Sequence, residues 1–252
     1  MTLQGSVQVS EAGGVRRVRL AHDRKLNTLN TPILTELAAS FDIGPDIRAV
    51  VLESDGDRAF IGGADINEMA AIASPEEARA FIGRIHAACS AIRACPVPVV
   101  ARIQGWCLGA GLELAASCDL RLAADTARFG MPEVRVGLPS VVEAALLPNL
   151  IGWGRTRRLV LLGETIGASE ALAWGLVERV VPAGELDAAL DAWLHLLGEA
   201  GPRAIRDQKA LIAAWEELGP AAGIEAGVAA FGRAFETDEP ARMLGAFAQR
   251  KR

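Results

Sequence analysis

Few of the features that announce a function occur in these 252 residues. The four cysteines (Cys89, Cys95, Cys107, Cys118) contain no Cys-x-x-Cys pair, and the three histidines lie far apart, so no zinc framework is expected. A chain of this length needs no disulfide scaffold, and reduced thiols in a cytosolic protein are the simplest expectation. No apolar stretch approaches the roughly 18 residues of a membrane span. The opening MTLQGSVQVSEAGGVRRVRL has no apolar core of a signal peptide, and a cytoplasmic location is expected. Lysine and arginine are scattered apart from the terminal Arg250-Lys251-Arg252, and the net charge is −5. That leaves no electrostatic footprint for nucleic acid. No Gly-Lys-Ser/Thr ends a phosphate loop, Gly109-Ala110-Gly111 lacks the third glycine of a dinucleotide fingerprint, and no Gly-x-Ser-x-Gly elbow occurs.

What is present is a large apolar core. Hydrophobic residues make up 51% and charged residues 23%, the balance of a soluble globular chain. Val7–Val9 and Val15–Leu20 flank Gly13-Gly14 and predict a hairpin. Thr31-Pro32 predicts a helix through Phe41 with a hydroxyl cap. Arg48–Glu53 predicts a buried strand, and Ser74-Pro75-Glu76-Glu77 a capped helix running to about Ala94. Ala78, Phe81, Ile82, Ile85, Cys89 and Ile92 form its apolar stripe, with His86 abutting it as a core residue. Further strands are predicted at Val97–Ile103 and Asp119–Ala124. From Ser140 onward the pattern is helical, with Leu176–Val181 as the one strand-like exception. Strands alternating with helices define an α/β class, followed by a helical region after about residue 195. The five tryptophans read as core or interface packing.

Two glycine-rich segments stand where chemistry can sit: AFIGGADINEM (59–69) and QGWCLGAGLE (104–113). Glycine lets backbone approach a ligand, and free N–H groups at a helix start favour negative charge. Two such turns can aim two N–H groups at one oxygen as an oxyanion hole. The same glycines are equally compatible with tight turns and close packing. Glu113 sits among Leu112, Leu114, Ala115 and Ala116, and a carboxylate in an apolar helix needs a partner or a task. Glu133 follows Phe129-Gly130-Met131-Pro132, and Glu143 lies between Val141-Val142 and Ala144-Ala145. Buried carboxyls with raised pKa serve as general acids and bases. Taken singly, each is more often a salt-bridge partner or an exposed residue.

Taken together, AFIGGADINEM and PVVARIQGWCLGAGLELAASCDLRLAADTARFGMPEVRVGL resemble the crotonase superfamily, most closely the enoyl-CoA hydratases. His22-Asp23-Arg24-Lys25-Leu26-Asn27-Thr28-Leu29 is similar to that family's Arg-Pro-Lys-x-Leu-Asn-Ala-Leu segment, and Phe235–Pro240 with Ala246-Phe247 to its C-terminal helix. The resemblance implies a spiral of ββα units over residues 1–195 and a helical trimerisation region over 196–252. It implies an acyl-CoA thioester substrate, a homotrimer or homohexamer, and no metal or separate cofactor. By motif position, the N–H groups of Ala64 and Ala110 form the oxyanion hole. Gly63, Ala64, Asp65 and Ile66 lie along the CoA, and Arg24 falls where the family has a basic CoA contact. Glu113 and Glu133 match the family's two acids, which favours hydration of a 2-trans-enoyl-CoA. Glu133 is assigned to the Cα proton and Glu113 to the water, with sharing of both roles left open.

One departure stands out. Where the family has Pro-Gly-x-Gly-Gly-Thr-x-Arg-Leu, the chain reads Leu138-Pro139-Ser140-Val141-Val142-Glu143-Ala144-Ala145-Leu146-Leu147-Pro148, one residue shorter. That change narrows the acyl pocket or brings Glu143 into it. The rival readings are an acyl-CoA isomerase or lyase using Glu133, with or without Glu143, and a non-catalytic acyl-CoA binder.

Overall fold

A computed structural model describes residues 5–22 and 25–250, so Asp23 and Arg24 lie outside the described residues. The chain opens with β1 (Ser6–Ala12) and β2 (Val15–Ala21), paired antiparallel from Ser6↔Ala21 to Ala12↔Val15 around Gly13-Gly14. α1 (Thr31–Ala39) starts one residue earlier than a hydroxyl cap at Thr31 requires. Its cap is Asn30, whose side chain accepts from Ile33 N at 3.0 Å. Thr31 instead turns its N–H and hydroxyl to the Glu68 carboxylate.

Three passes of the chain then repeat one pattern. β3 (Ala49–Ser54), buried at every position, leads to β4 (Ala59–Ile61), then α2 (Ile66–Ala70) and α3 (Pro75–Ala94). β5 (Val99–Ile103) leads to β6 (Trp106–Leu108) and α4 (Ala110–Ser117). β7 (Leu120–Ala124) leads to β8 (Arg128–Gly130) and a 3-10 turn at Glu133–Val136. Each pass gives one strand to each of two sheets. The larger runs β1-β2-β3-β5-β7 and the smaller β4-β6-β8, each extended by one strand from later in the chain, with β3, β5 and β7 parallel to one another, as are β4, β6 and β8. This is the spiral of ββα units in an α/β chain.

The remainder is helical, except for two short strands. A 3-10 helix, Val142–Leu146, runs into α5 (Leu147–Leu162), broken at Gly152. β9 (Thr165–Gly167), α6 (Ala168–Trp174) and β10 (Arg179–Val181) follow. α7 (Leu186–Glu199), α8 (Pro202–Glu217), α9 (Pro220–Ala234) and α10 (Glu239–Arg250) complete the chain. β9 corrects the expectation of a single strand after Ser140. Three residues show no alternation, and β9 exists because it pairs antiparallel with β8. The same brevity hides β4 and β6 inside the glycine-rich segments. Among the described residues, no helix is long and apolar enough to cross a membrane.

The main core fills the space between the sheets and α1, α3 and α4, with Phe60 and Phe129 fully buried. Ser74 caps α3 through Glu77 N, and Phe81, Ile85, Ala88, Cys89 and Ile92 form its buried face. Ala78 and His86 lie outside that face and are exposed. Of the tryptophans, Trp174 is buried, whereas Trp106, Trp153 and Trp215 are exposed. All four cysteines are free and buried, and burial raises their pKa values. α8 is tied to the spiral by the buried Lys209, which donates to Asp119 Oδ2 (2.7 Å) and Val97 O (3.0 Å).

Asn27 fastens the end of β2 to β4. Its Oδ1 accepts from His22 N, and its Nδ2 donates to Asp55 O and Ala59 O, all at 2.9 Å. It is fully buried at φ 53, a conformation that asparagine tolerates better than most residues. Asn27→Ala is therefore expected to cost about 2–4 kcal/mol, read as a lower denaturant midpoint with an unchanged slope. An unchanged midpoint would show that this buried triplet contributes nothing.

Candidate active site

The two glycine turns meet because successive passes of the spiral lie side by side. β4 and β6 pair through Ala59↔Trp106 and Ile61↔Cys107, which aligns the segments that follow them. A Cβ built at Gly63 would stand 3.3 Å from Leu108 O, and one at Gly111 would collide with Ile61 O. The start of α4 therefore packs directly on the backbone of the preceding pass.

Among the described residues, this packing leaves backbone donors free on both turns. Leu29 bridges to the first turn by donating to Gly63 O (2.9 Å) and accepting from Asp65 N (2.8 Å). In such a parallel bridge the N–H of the central residue, Ala64, points the other way. Ala110 is the first residue of α4, where helix geometry supplies no acceptor for the N–H. The preceding N–H, of Gly109, goes to Gly130 O at 3.0 Å. Ala64 and Ala110 thus carry the unused donors of two adjacent turns.

The acids converge on the same place. Glu113 lies on the first turn of α4 and is 4% exposed. Glu133, on the 3-10 turn after β8, sets its Oε1 over the start of α4, where any Cβ at Gly109 would collide with it. The other oxygen of Glu133 accepts from Ser140 Oγ at 2.7 Å. Glu113 Oε1 accepts from Ala144 N at 3.3 Å. Burial, with Glu133 and then Glu143 adding negative charge, pushes the Glu113 carboxyl up to about 8 despite the Ala144 N–H. The closeness of the two acids, invisible in a separation of twenty residues, is a product of the spiral.

Glu143 joins them. It is 7% exposed on the 3-10 helix before α5, and its Oε1 contacts His86 Nδ1 at 2.7 Å. His86 was expected in the core, yet its ring is open to solvent, because it sits one residue past Ile85 and turns off the apolar stripe. Val142, where the resembled family has glycine, sits at φ 39, a strained left-handed conformation for a β-branched residue.

Of the other residues singled out from the sequence, Asp65 is buried and occupied. It caps α2 through Asn67 N (2.9 Å) and Glu68 N (3.2 Å), and meets Lys25 Nζ at 3.2 Å. Burial opposes its ionisation, but these contacts outweigh it and hold the carboxyl below its ordinary value. Ile66 is 58% exposed beside it. Ser140, Ala144 and His86 are site residues that the sequence reading missed. A serine, an alanine amide and a histidine far away in sequence emit no local signal. Among the described residues, no cluster of three or more His, Cys, Asp or Glu is placed to hold a metal ion.

Comparisons with known proteins identify the family and the fold. The sequence signature of the enoyl-CoA hydratase/isomerase family spans residues 10–252. The chain is 34% identical to the crotonyl-CoA hydratase of Syntrophomonas wolfei, covering 91% of this chain and 89% of that one. It is 31% identical to the short-chain-enoyl-CoA hydratase of Clostridium acetobutylicum, covering 98% and 96%. The crystal structure of an enoyl-CoA hydratase from Bacillus anthracis superimposes with a TM-score of 0.92 at 30% identity, covering 97% and 96%. The chain belongs to the enoyl-CoA hydratase/isomerase family and has the crotonase fold.

The raised pKa of Glu113 has a consequence for stability. Its folded value of about 8 exceeds the unfolded 4.5, so the folded state holds a proton that the unfolded state releases. The resulting stabilisation is complete below pH 4.5 and is lost as pH rises through about 8. Wild type is expected to lose about 2–4 kcal/mol more than Glu113→Gln between pH 5 and pH 9, read from urea midpoints. Parallel losses in the two proteins would contradict a buried, proton-holding Glu113.

Proposed function

We propose that the protein hydrates a 2-trans-enoyl-CoA to a 3-hydroxyacyl-CoA, with Glu113 and Glu133 acting as one acid–base pair opposite an oxyanion hole. The carrying observation is the convergence of two buried or half-buried carboxyls with two unused N–H groups at the start of α4. A binding site alone has no need for two mutually repelling acids.

The chemistry follows from that arrangement. The N–H groups of Ala64 and Ala110 hydrogen-bond to the thioester oxygen, drawing electron density from the double bond and leaving Cβ electrophilic. A water held between Glu113 and Glu133 adds its oxygen to Cβ and loses a proton to the ionised carboxylate. The π electrons move toward Cα, which takes the proton of the neutral carboxyl. The pair ends as it began, with one proton between its members, so its titration belongs to both. In the substrate-free site, burial favours the proton on Glu113. The water touches both carboxyls, and the product is the same in either order. No metal or redox cofactor is required. Gly63, Asp65 and Ile66 border the path of the CoA.

Residue type and spacing also support assembly with further copies, as a homotrimer or homohexamer. Ile224, Val228 and Phe231 on α9, with Phe235 just past its end, are each at least 56% exposed and recur at helical spacing. With Trp215 of α8 and Leu218 just after it they form an apolar face of the kind that associates.

Two outcomes are expected. Glu133→Gln should fold normally and cut the loss of conjugated thioester absorbance from a short 2-trans-enoyl-CoA at least a hundredfold. Full activity in that variant would sink the acid-pair reading. Phe231→Glu should reduce the assembled mass to that of a smaller species in sedimentation equilibrium, and an unchanged mass would remove α9 from the interface.

A further inference from the structure

Glu143 is a buried acid that this chemistry leaves without a task, and unlike the buried Glu53, which pairs with Arg17 and Arg19, it has no cation beside it among the described residues other than His86. Its Oε1 is taken by His86, but its Oε2 is buried without a hydrogen-bond partner. Leaving a buried carboxyl oxygen unpaired is costly, and a native site tolerates it where a ligand supplies the missing donor. Two protein groups that can donate face Glu143, and neither is in hydrogen-bond geometry with Oε2. Val141, Val142 and Ala144 flank it in sequence. From α3 it is faced by Cys89, whose thiol stays protonated because burial, and next Glu143 itself, raise its pKa. From α4 it is faced by Glu113, whose carboxyl keeps its proton near neutral pH but makes no hydrogen bond to Oε2.

The backbone shows that this placement is enforced. Val142 holds φ 39 immediately before Glu143, and the next amide, of Ala144, is bonded to Glu113. Ser140, at the other end of the same segment, is bonded to Glu133. Residues 140–144 thus bond to both acids, and on the hydration reading an acyl chain whose Cα and Cβ lie between those acids continues beside this segment.

We infer that Glu143 Oε2 accepts a hydrogen bond from a hydroxyl on the acyl chain beyond Cβ, so that the enzyme prefers hydroxylated 2-enoyl-CoA thioesters to plain hydrocarbon ones. This rests on the hydration reading above. A hydroxyl suits the position because it brings a donor without the desolvation cost of a cation. His86 holds the carboxylate from the solvent side and acts as a positioning residue.

The test compares kcat/KM for 5-hydroxyhex-2-enoyl-CoA and 4-hydroxyhex-2-enoyl-CoA with that for hex-2-enoyl-CoA. Wild type should favour at least one hydroxylated ester by roughly tenfold to a hundredfold, the worth of a hydrogen bond to a charged group. Glu143→Leu should bring that ratio to one or below, and Glu143→Gln to an intermediate value. A purely structural Glu143 would alter stability and leave the ratio alone. A wild-type ratio of one or less, or a ratio unchanged in either variant, overturns the inference; the wild-type ratio decides it even if the leucine variant does not fold. If no ester is turned over, the hydration reading fails instead. The relative affinity of wild type for the saturated 5-hydroxyhexanoyl-CoA and hexanoyl-CoA then still decides the role of Glu143, equal affinities rejecting it.

Discussion

The first turn of α4 lies directly on the backbone of β4, with no side chain between Gly111 and Ile61 O. This approach sets the distance between consecutive passes of the spiral at the point where both end in glycine turns. It brings the Ala64 turn alongside Ala110, and the bare Gly109 leaves room for the Glu133 carboxylate. A larger residue at either glycine forces the passes apart or displaces the acid. Donors and acids converge because one helix begins unusually close to its neighbour's backbone.

That geometry sets the electrostatics. Glu113 enters an apolar interior at the positive end of a helix, yet burial and two neighbouring acids outweigh the dipole and the Ala144 N–H. The result is a carboxyl that carries a proton near neutral pH, the condition under which a carboxyl pair can give one proton and take another. The stability lost on ionising Glu113 is the cost of this arrangement. The segment 140–144 then couples all three acids, since Ser140, Glu143 and Ala144 each bear on one of them. Departure from the family pattern in this segment therefore bears directly on the chemistry.

Much of the fold was legible in the chain. The Gly13-Gly14 hairpin, the Ser74 cap and the buried β3 run all carry local signals, of turn chemistry, capping and β-branched composition. The three-residue strands β4, β6 and β9 carry none, because so short a strand is defined by its partner. Capping of α1 by Asn30 in place of Thr31 also turned on a distant group, Glu68, which claims the threonine hydroxyl. His86 shows the same limit, since a residue beside an apolar stripe faces inward or outward according to a few degrees of helix rotation.

By itself, then, the sequence determined the alternation of strands and helices, the two glycine turns, the apolar setting of Glu113 and Glu143, and the family to which their ordered motifs belong. These are local matters of composition and spacing, which short-range sterics and burial translate into structure. Only the tertiary structure decided that Glu113, Glu133 and Glu143 share one space, that Ser140 and His86 hold two of them, and that Val142 is strained in doing so. Contacts between residues distant along the chain depend on how successive passes stack, and that stacking is written in no single stretch of sequence.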